Sequence, residues 1–368
     1  MKRPTATPQS SIVVRPQPMD SATYTASSRL QAAGLARAQD MLERSAAAVP
    51  LPPPDQPITI ADYGTANGYN ALLPIGAAIA ELRARTRADH AIAVTHTDVP
   101  GNDFTALFTT LNEDPDSYLT KDAATYAYAV GRSFYKQILP SDSITLGWSS
   151  WATHWLSRLP AAITDHIHIS RSTDDAARQA FARQAAEDWH DFVAFRGREL
   201  APGGQIVVLT LAADDDGRPG FGPLMDMLNK SLIRLTAEEL ITPAELGRMV
   251  IPTVGRTEKD LRAPFAPSGR FEGLSVEHLQ IFQAEDRFWE RLKHDGDSGA
   301  FGAQWAGFAR AAAFPTLIAA LDGGPADPRA VDFCDRLQAA LAAGLSQDPT
   351  PMPIPLAIVV MTKVHRPE

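Results

Sequence analysis

Hydrophobic positions along this chain fall into two rhythms. Short apolar runs occupy residues 58–62, 90–97, 126–130, 143–147, 205–211 and 356–362, the second with Ile92 and Val94 alternating with polar neighbours. Runs of that length predict β-strands. Between them, apolar residues recur three and four apart, the spacing of one helical face. Residues 24–48 place Leu30, Leu35, Ala38 and Leu42 on such a face, until five prolines between positions 50 and 57 break the helix. Further helices are expected towards Arg87 and Leu111, and over 174–200 with Phe181, Ala185, Trp189, Phe192 and Phe195 inward. From 221 to 350 helical patterns dominate: 223–235, 243–250, 275–282, 302–321 and 328–345. The expected organisation is a flexible tail (1–20), an α/β core (21–213), a mainly helical cap (214–350) and a last strand returning to the core sheet (351–368).

The chemistry-bearing residues cluster at the ends of the strands. The first run ends in Asp62, and a turn with Gly64 and Gly68 follows before the next helix. In open α/β sheets ligands bind outside the carboxyl ends of the strands. The glycine spacing is G-x-x-x-G, not the G-x-G-x-x-G that seats a dinucleotide pyrophosphate. An anionic side chain there suits a ligand with hydroxyls or positive charge, and S-adenosylmethionine has both. An ordinary glycine turn after a buried strand accounts for the same residues equally well. The second strand ends in Asp98, at the position that takes ribose hydroxyls in α/β nucleotide sites; Asn102 or Asp103 serves as a helix cap. The third leads into Ser133, Phe134 and Tyr135. The fourth leads into Trp148, Trp151, His154 and Trp155, with three of the chain's six tryptophans in eight residues. Trp151, His154 and Trp155 are spaced to share a helical face, as core packing or as the wall of an aromatic pocket. Tyr24, Ser28 and Gln31 would share a face of the first helix; a capping serine and a solvated face is the plainer account. The acidic loop at Asp214, Asp215 and Asp216 lacks calcium-loop spacing and reads as solvated.

Composition narrows the function. The chain has 368 residues and a net charge of −9, without the clustered Lys and Arg of a general nucleic-acid binder. Cys334 is the single cysteine, so no internal disulfide or thiolate metal site is expected, in keeping with a reducing cytoplasm. No apolar run is long enough to cross a membrane, no signal-peptide core is present and no internal repeat is visible.

Six segments in order resemble the SABATH family of S-adenosylmethionine-dependent methyltransferases, over most of residues 24–252. The family's Tyr-x-x-Asn-Ser-x-x-Gln is matched at Tyr24, Ser27, Ser28 and Gln31. Its Ala-Asp-Leu-Gly-Cys-Ser-Ser-Gly-Pro-Asn is matched from Ala61 to Asn70. Its Asn-Asp-Leu-Pro-Gly-Asn-Asp-Phe is nearly intact from Thr97 to Phe104. Its Gly-Ser-Phe-Tyr appears at Arg132 to Tyr135, its Ser-Ser-Tyr-Ser-Leu-His-Trp-Leu-Ser at Ser149 to Ser157, and its Arg-x-x-Glu-Leu-x-Pro-Gly-Gly at Arg196 to Gly204. The resemblance implies a class I, Rossmann-like methyltransferase sheet, mostly parallel, with an inserted helical cap. It implies S-adenosyl-L-methionine as cofactor, S-adenosyl-L-homocysteine as product, and cofactor contacts from Tyr24, Ser28, Asp62, Gly64, Thr65, Asn70, Asp98, Val99, Ser133 and Phe134. Gln31 and Trp155 would hydrogen-bond the substrate carboxylate, and Trp151, His154 and Phe221 would line the pocket.

Two departures stand out. The family's pocket tyrosine is Trp151 here, which reshapes the cavity. Where some members bind Mg²⁺, this chain has Arg171 and the run Gly247, Arg248, Met249, Val250, so no metal is expected. The expected function is O-methylation of a small, aromatic or otherwise apolar carboxylic acid, without a general base because the acid is already ionised. The alternatives are N-methylation of a small heterocycle and an inactive cofactor-binding homologue; a nicotinamide dehydrogenase is disfavoured by the missing phosphate loop. The expected partner is a small molecule, with no nucleic acid or membrane, a cytoplasmic setting, and a homodimer left open.

Overall fold

A computed structural model describes residues 21–214 and 217–364, with side chains from Gly34 onward. The tail 1–20, Asp215, Asp216 and the side chains of Tyr24, Ser28 and Gln31 lie outside the described residues. Eight strands form one sheet: β1 (Ile58–Tyr63), β2 (Ile92–Asp98), β3 (Thr125–Gly131), β4 (Ile144–Ser150), β5 (Leu200–Leu211), β6 (Arg270–Phe271), β7 (Leu274–Gln283) and β8 (Pro355–Lys363). Their order is β3-β2-β1-β4-β5-β8-β7-β6. The first five are parallel, and β8, β7 and β6 continue the sheet antiparallel. The chain runs outward from β1 to β3, then returns to place β4 on the other side of β1. The crevice at that reversal is where an open α/β sheet binds its ligand.

Burial explains why the parallel strands read as apolar runs. Helices cover both faces, so β1 and β4 are buried almost throughout. The helix Tyr69–Ala84 buries Leu72, Ile75, Ile79 and Leu82, and the helix Ser21–Ala48 adds Ala38 and Leu42 to the same core. The long helix Asp175–Glu199 is capped by Asp174, which accepts from the amides of Ala176 and Ala177. It buries Phe181, Ala185, Trp189 and Phe192, while Phe195 is only half-buried.

Three local expectations are corrected. Residues 275–282 form part of β7, not a helix. A register shift between Val276 and His278 interrupts the two-residue alternation, so the apolar spacing imitates a helical one. Residues 151–155 form a turn rather than a helical face, with Trp151 at φ 55°. Residues 302–321 divide into the helices Ser298–Ala312 and Phe314–Ile318.

The last turn of the long helix fastens the sheet to the loop after β3. Arg196 is fully buried and donates to the carbonyls of Phe134 (2.7 Å) and Lys136 (3.0 Å) and to Glu199 Oε1 (2.9 Å). Its guanidinium lies 4.2 Å from the ring centre of Tyr63 at the end of β1. Glu199 accepts from the Tyr63 hydroxyl (2.8 Å) and from the amides of Ile138 (2.6 Å) and Leu139 (3.0 Å). Truncating one partner leaves the other charge buried alone. Glu199→Ala is therefore expected to lower the unfolding free energy by about 3–5 kcal/mol, read as a fall in the urea midpoint, whereas Glu258→Ala, removing an exposed helical pair with Arg262, changes it little.

Candidate functional site

The turn after β1 requires its glycines. Gly64 and Gly68 have φ of 89° and 82°, in the region closed to most side chains. A Cβ on Gly64 would lie 2.3 Å from Ala152 Cβ, and one on Gly68 2.6 Å from Leu107 Cδ1. The turn hangs from β2, where the amides of Gly64 and Thr65 both donate to the Thr97 carbonyl (2.9 and 3.1 Å). Asp98, at the tip of β2, accepts from the amides of Ala66 (2.8 Å) and Val99 (2.7 Å). Asn102 donates to the Ala66 carbonyl (2.7 Å), so Ala66 is held from both sides at φ 50°. Asp103, not Asn102, caps the helix Phe104–Glu113. Desolvation pushes the Asp98 carboxyl up to about 6, against the two amides that lower it.

Beyond β3, Ser133 accepts from the Tyr135 amide (3.4 Å). The Phe134 ring packs edge-on against Phe192 at 5.7 Å, and its Cε1 lies 3.3 Å from where a Cβ on Gly64 would stand. Arg196, by holding the Phe134 carbonyl, fixes this wall to the helix behind it.

Beyond β4 the chain encloses a cavity of about 230 Å³. Asp62, Gly64, Thr65 and Asn70 line one end, and Trp151, His154 and Trp155 line another side. Phe221 closes it from the segment after β5, stacked on Phe308 at 5.6 Å. Ala66, Trp151 and Phe221 all line this cavity at positive φ; such conformations are uncommon for residues other than glycine and gather at functional sites. The Trp151 amide donates to the Leu209 carbonyl (2.9 Å). Buried Arg256 donates to the carbonyls of Thr153 (2.6 Å) and Ala185 (2.9 Å), tying the tryptophan turn to the long helix.

Among the described residues, the titratable side chains in the lining are Asp62, His154 and His168. Burial lowers His154 to about 3, helped by the nearby Arg256, and lowers His168 to about 4, helped by His166. Both imidazoles are neutral at pH 7, and Asp62 is the one carboxylate in the lining. The cavity shares His168, Pro219 and Gly255 with an open groove of about 850 Å³.

The structure thus gathers eight of the expected residues around one cavity: Asp62, Gly64, Thr65, Asn70, Trp151, His154, Trp155 and Phe221. Asp98, Val99, Ser133 and Phe134 lie outside its lining, along the neighbouring tips of β2 and β3. Sequence reasoning missed Leu224, Met225, Ile251 and Phe308, which complete the wall. No polar motif marks them, and only the fold brings them to the strand ends. Arg171 forms a two-pronged pair with Asp226 (2.7 and 2.6 Å), and Arg248 pairs with Asp322 (2.5 Å). Among the described residues no group of three His, Cys, Asp or Glu is placed to hold a metal ion, and no helix is long and apolar enough to cross a membrane.

A sheet that reverses at β1 and β4, acids at two adjacent strand tips and a glycine turn without a phosphate loop define the class I methyltransferase architecture. A solved loganic acid methyltransferase with S-adenosylhomocysteine has this fold, at a TM-score of 0.74 and 20% identity over 95% of this chain and 98% of that one. Residues 16–344 match the family model of S-adenosylmethionine-dependent carboxyl methyltransferases, and the chain belongs to that family. It is 30% identical to Methyltransferase LUC1 of Fusarium sp. over 56% of this chain and 54% of that protein. It is 26% identical to a salicylate carboxymethyltransferase of Clarkia breweri, over 66% and 67%. It is 24% identical to a 3,7-dimethylxanthine N-methyltransferase of Camellia sinensis var. assamica, over 62% and 66%. The matches thus span between about half and two thirds of the length of these curated relatives.

The residues present fit S-adenosylmethionine. The glycine turn brings backbone to the cavity without a side chain at Gly64, Asp98 offers acceptors to hydroxyls, and Asp62 places a carboxylate in the lining. If Asp98 accepts from ribose hydroxyls, its ionised form is the one that binds. With its pKa about 6, S-adenosylhomocysteine should bind about tenfold more weakly at pH 5 than at pH 7.5. Titration calorimetry across that range checks this, and Asp98→Asn should flatten the dependence.

Proposed function

We propose that the protein transfers a methyl group from S-adenosylmethionine to the carboxylate of a small, aromatic or otherwise apolar acid, giving a methyl ester. The observation that carries this reading is one cavity with the glycine turn at one end and two indoles along its side, without a Lys or Arg among the described residues that line it. In this reading the α/β core holds the donor, through Tyr24, Ser28, Asp62, Gly64, Thr65, Asn70, Asp98, Val99, Ser133 and Phe134. The helices after residue 221 close the acceptor side with Phe221 and Phe308.

The donor supplies an electrophilic methyl group carried on a sulfonium. The chain's own work is positioning and exclusion of water. A carboxylic acid with a pKa near 4 is ionised at pH 7, so no proton need be removed; His154 serves as wall. Trp155 lines the cavity, and its indole N–H can only donate. Together with Gln31 it would hold one carboxylate oxygen and leave the other facing the methyl group. Such alignment replaces a bimolecular encounter, and the apolar walls keep the carboxylate poorly hydrated and reactive.

Incubation with methyl-labelled donor and a panel of aromatic and aliphatic acids should release label on mild alkaline treatment, the behaviour of methyl esters. Trp155→Phe should raise KM for the acid about tenfold, the cost of one hydrogen bond to a charged group, with KM for the donor unchanged. Label stable to alkali on a heterocyclic acceptor would transfer the assignment to N-methylation. Donor binding without turnover of any acceptor would make the protein a binding homologue.

A further inference from the structure

His96 occupies a place that packing alone would give to an aliphatic residue. It follows Ile92 and Val94 on the inward face of β2 and is completely buried. Its ring joins three side chains. Nδ1 lies 2.9 Å from Asp62 Oδ2 and 3.0 Å from Thr65 Oγ1, and Nε2 lies 2.8 Å from the Tyr118 hydroxyl. The Tyr118 ring lies near parallel to the imidazole, at 6.1 Å and 16°. Tyr118 is itself buried at the start of the short helix Tyr118–Lys121, whose cap Ser117 donates to the Leu111 carbonyl (2.6 Å). The chain of contacts therefore runs from the protein core to the cavity, where Asp62 and Thr65 are part of the lining.

The hydrogen-bond roles follow from chemistry. An ionised carboxylate only accepts, so Nδ1 carries the proton shared with Asp62. Burial and the nearby Asp62 charge raise the Tyr118 phenol well above its usual range, so Tyr118 stays protonated and donates to Nε2. This arrangement fixes the tautomer, as the partner on one ring nitrogen sets the role of the other. One oxygen of Asp62 is thereby committed. The other makes no hydrogen bond to a described side chain, in a residue that faces the cavity.

We propose that His96, held by Tyr118, is a positioning residue that aims the Asp62 carboxylate at the ammonium of the donor's amino-acid end. The proposal rests on the reading that the glycine turn holds S-adenosylmethionine. A tie that merely fastens β2 to the neighbouring helix would alter stability alone. Aim at the ammonium alters selectivity between two ligands: S-adenosylhomocysteine, which carries the ammonium, and 5′-methylthioadenosine, which has the same nucleoside and thioether without it.

Both affinities are to be measured by calorimetry on the full chain. His96→Leu should weaken S-adenosylhomocysteine about tenfold or more, the scale of a lost charge-assisted hydrogen bond, and leave 5′-methylthioadenosine within about twofold. KM for the donor should rise in parallel, with KM for the acid unchanged. His96→Asn, whose amide can still donate to Asp62, should restore most of the affinity. Tyr118→Phe, which removes one hydroxyl from the relay, should lose a few-fold in the same selective way. Lowered thermal midpoints with an unchanged affinity ratio in His96→Leu and Tyr118→Phe would overturn the proposal; if His96→Leu does not fold, an unchanged ratio in Tyr118→Phe alone overturns it. Asp62→Asn separates the two levels: normal S-adenosylhomocysteine affinity in that variant would overturn the site reading itself, whereas a loss there with normal selectivity in the other variants would reject the role of His96 only.

Discussion

The register of β1 between its two parallel neighbours is the constraint on which the site depends. Asp62 stands opposite His96 on β2 and opposite Trp148 on β4, and Tyr63 stands opposite Thr97. A slip of one residue would exchange the faces of β1, driving Asp62 away from His96 and Ile60 into the core on the opposite face. Ile58 and Ile60 pack in one core and Ala61 and Tyr63 in the other, so the exchange would misfit the side chains on both faces and is excluded. Once that register is set, the glycine turn hangs from Thr97, Asp98 reaches Ala66, and the chain leaving β4 emerges beside both.

The second requirement is that charge be kept behind the cavity walls. Arg196 and Arg256 are fully buried, yet neither lines the cavity. Each spends its donors mainly on backbone carbonyls, of Phe134 and Lys136 or of Thr153 and Ala185. Buried ions contribute uncertainly to stability, since desolvation offsets much of their attraction. Their role here is geometric: they pin the Phe134 loop and the Trp151–Trp155 turn to the long helix. Arg256 also acts on the site at a distance, since its positive field helps keep His154 uncharged.

How much of this was legible in the sequence depended on whether local pattern and local structure agreed. The buried parallel strands showed as apolar runs, and their terminal acids pointed to the ligand edge because the topology places all such tips together. The tryptophan cluster was legible as a pocket wall but not as a conformation: its spacing suits a helix, while the structure turns at Trp151 with positive φ. Strand β7 was misread because its bulge removes the alternation that identifies strands. His96 carried a usable signal, a titratable residue in phase with Ile92 and Val94, but its meaning needed the spatial neighbours Asp62 and Tyr118. The wall from Leu224 to Phe308 carried none, because apolar helix residues look alike whether they face a core or a cavity.

The charge balance of the cavity joins these points to the proposed reaction. Among the described residues the lining holds Asp62 as its one carboxylate and two neutral histidines, so it offers an anionic acid no cationic side chain. In the proposed reaction a cationic donor beside Asp62 would supply the positive charge, so the walls could remain apolar and still admit a carboxylate. A fixed Lys or Arg would bind the acid more strongly, but it would stabilise the charge that disappears as the ester forms, and only interactions stronger in the transition state than in the ground state accelerate the step. In the proposed reaction neutral indole and amide donors would hold the carboxylate through charge-assisted hydrogen bonds that weaken once the acceptor is a neutral ester. The same walls that would orient the acid would therefore also release its ester.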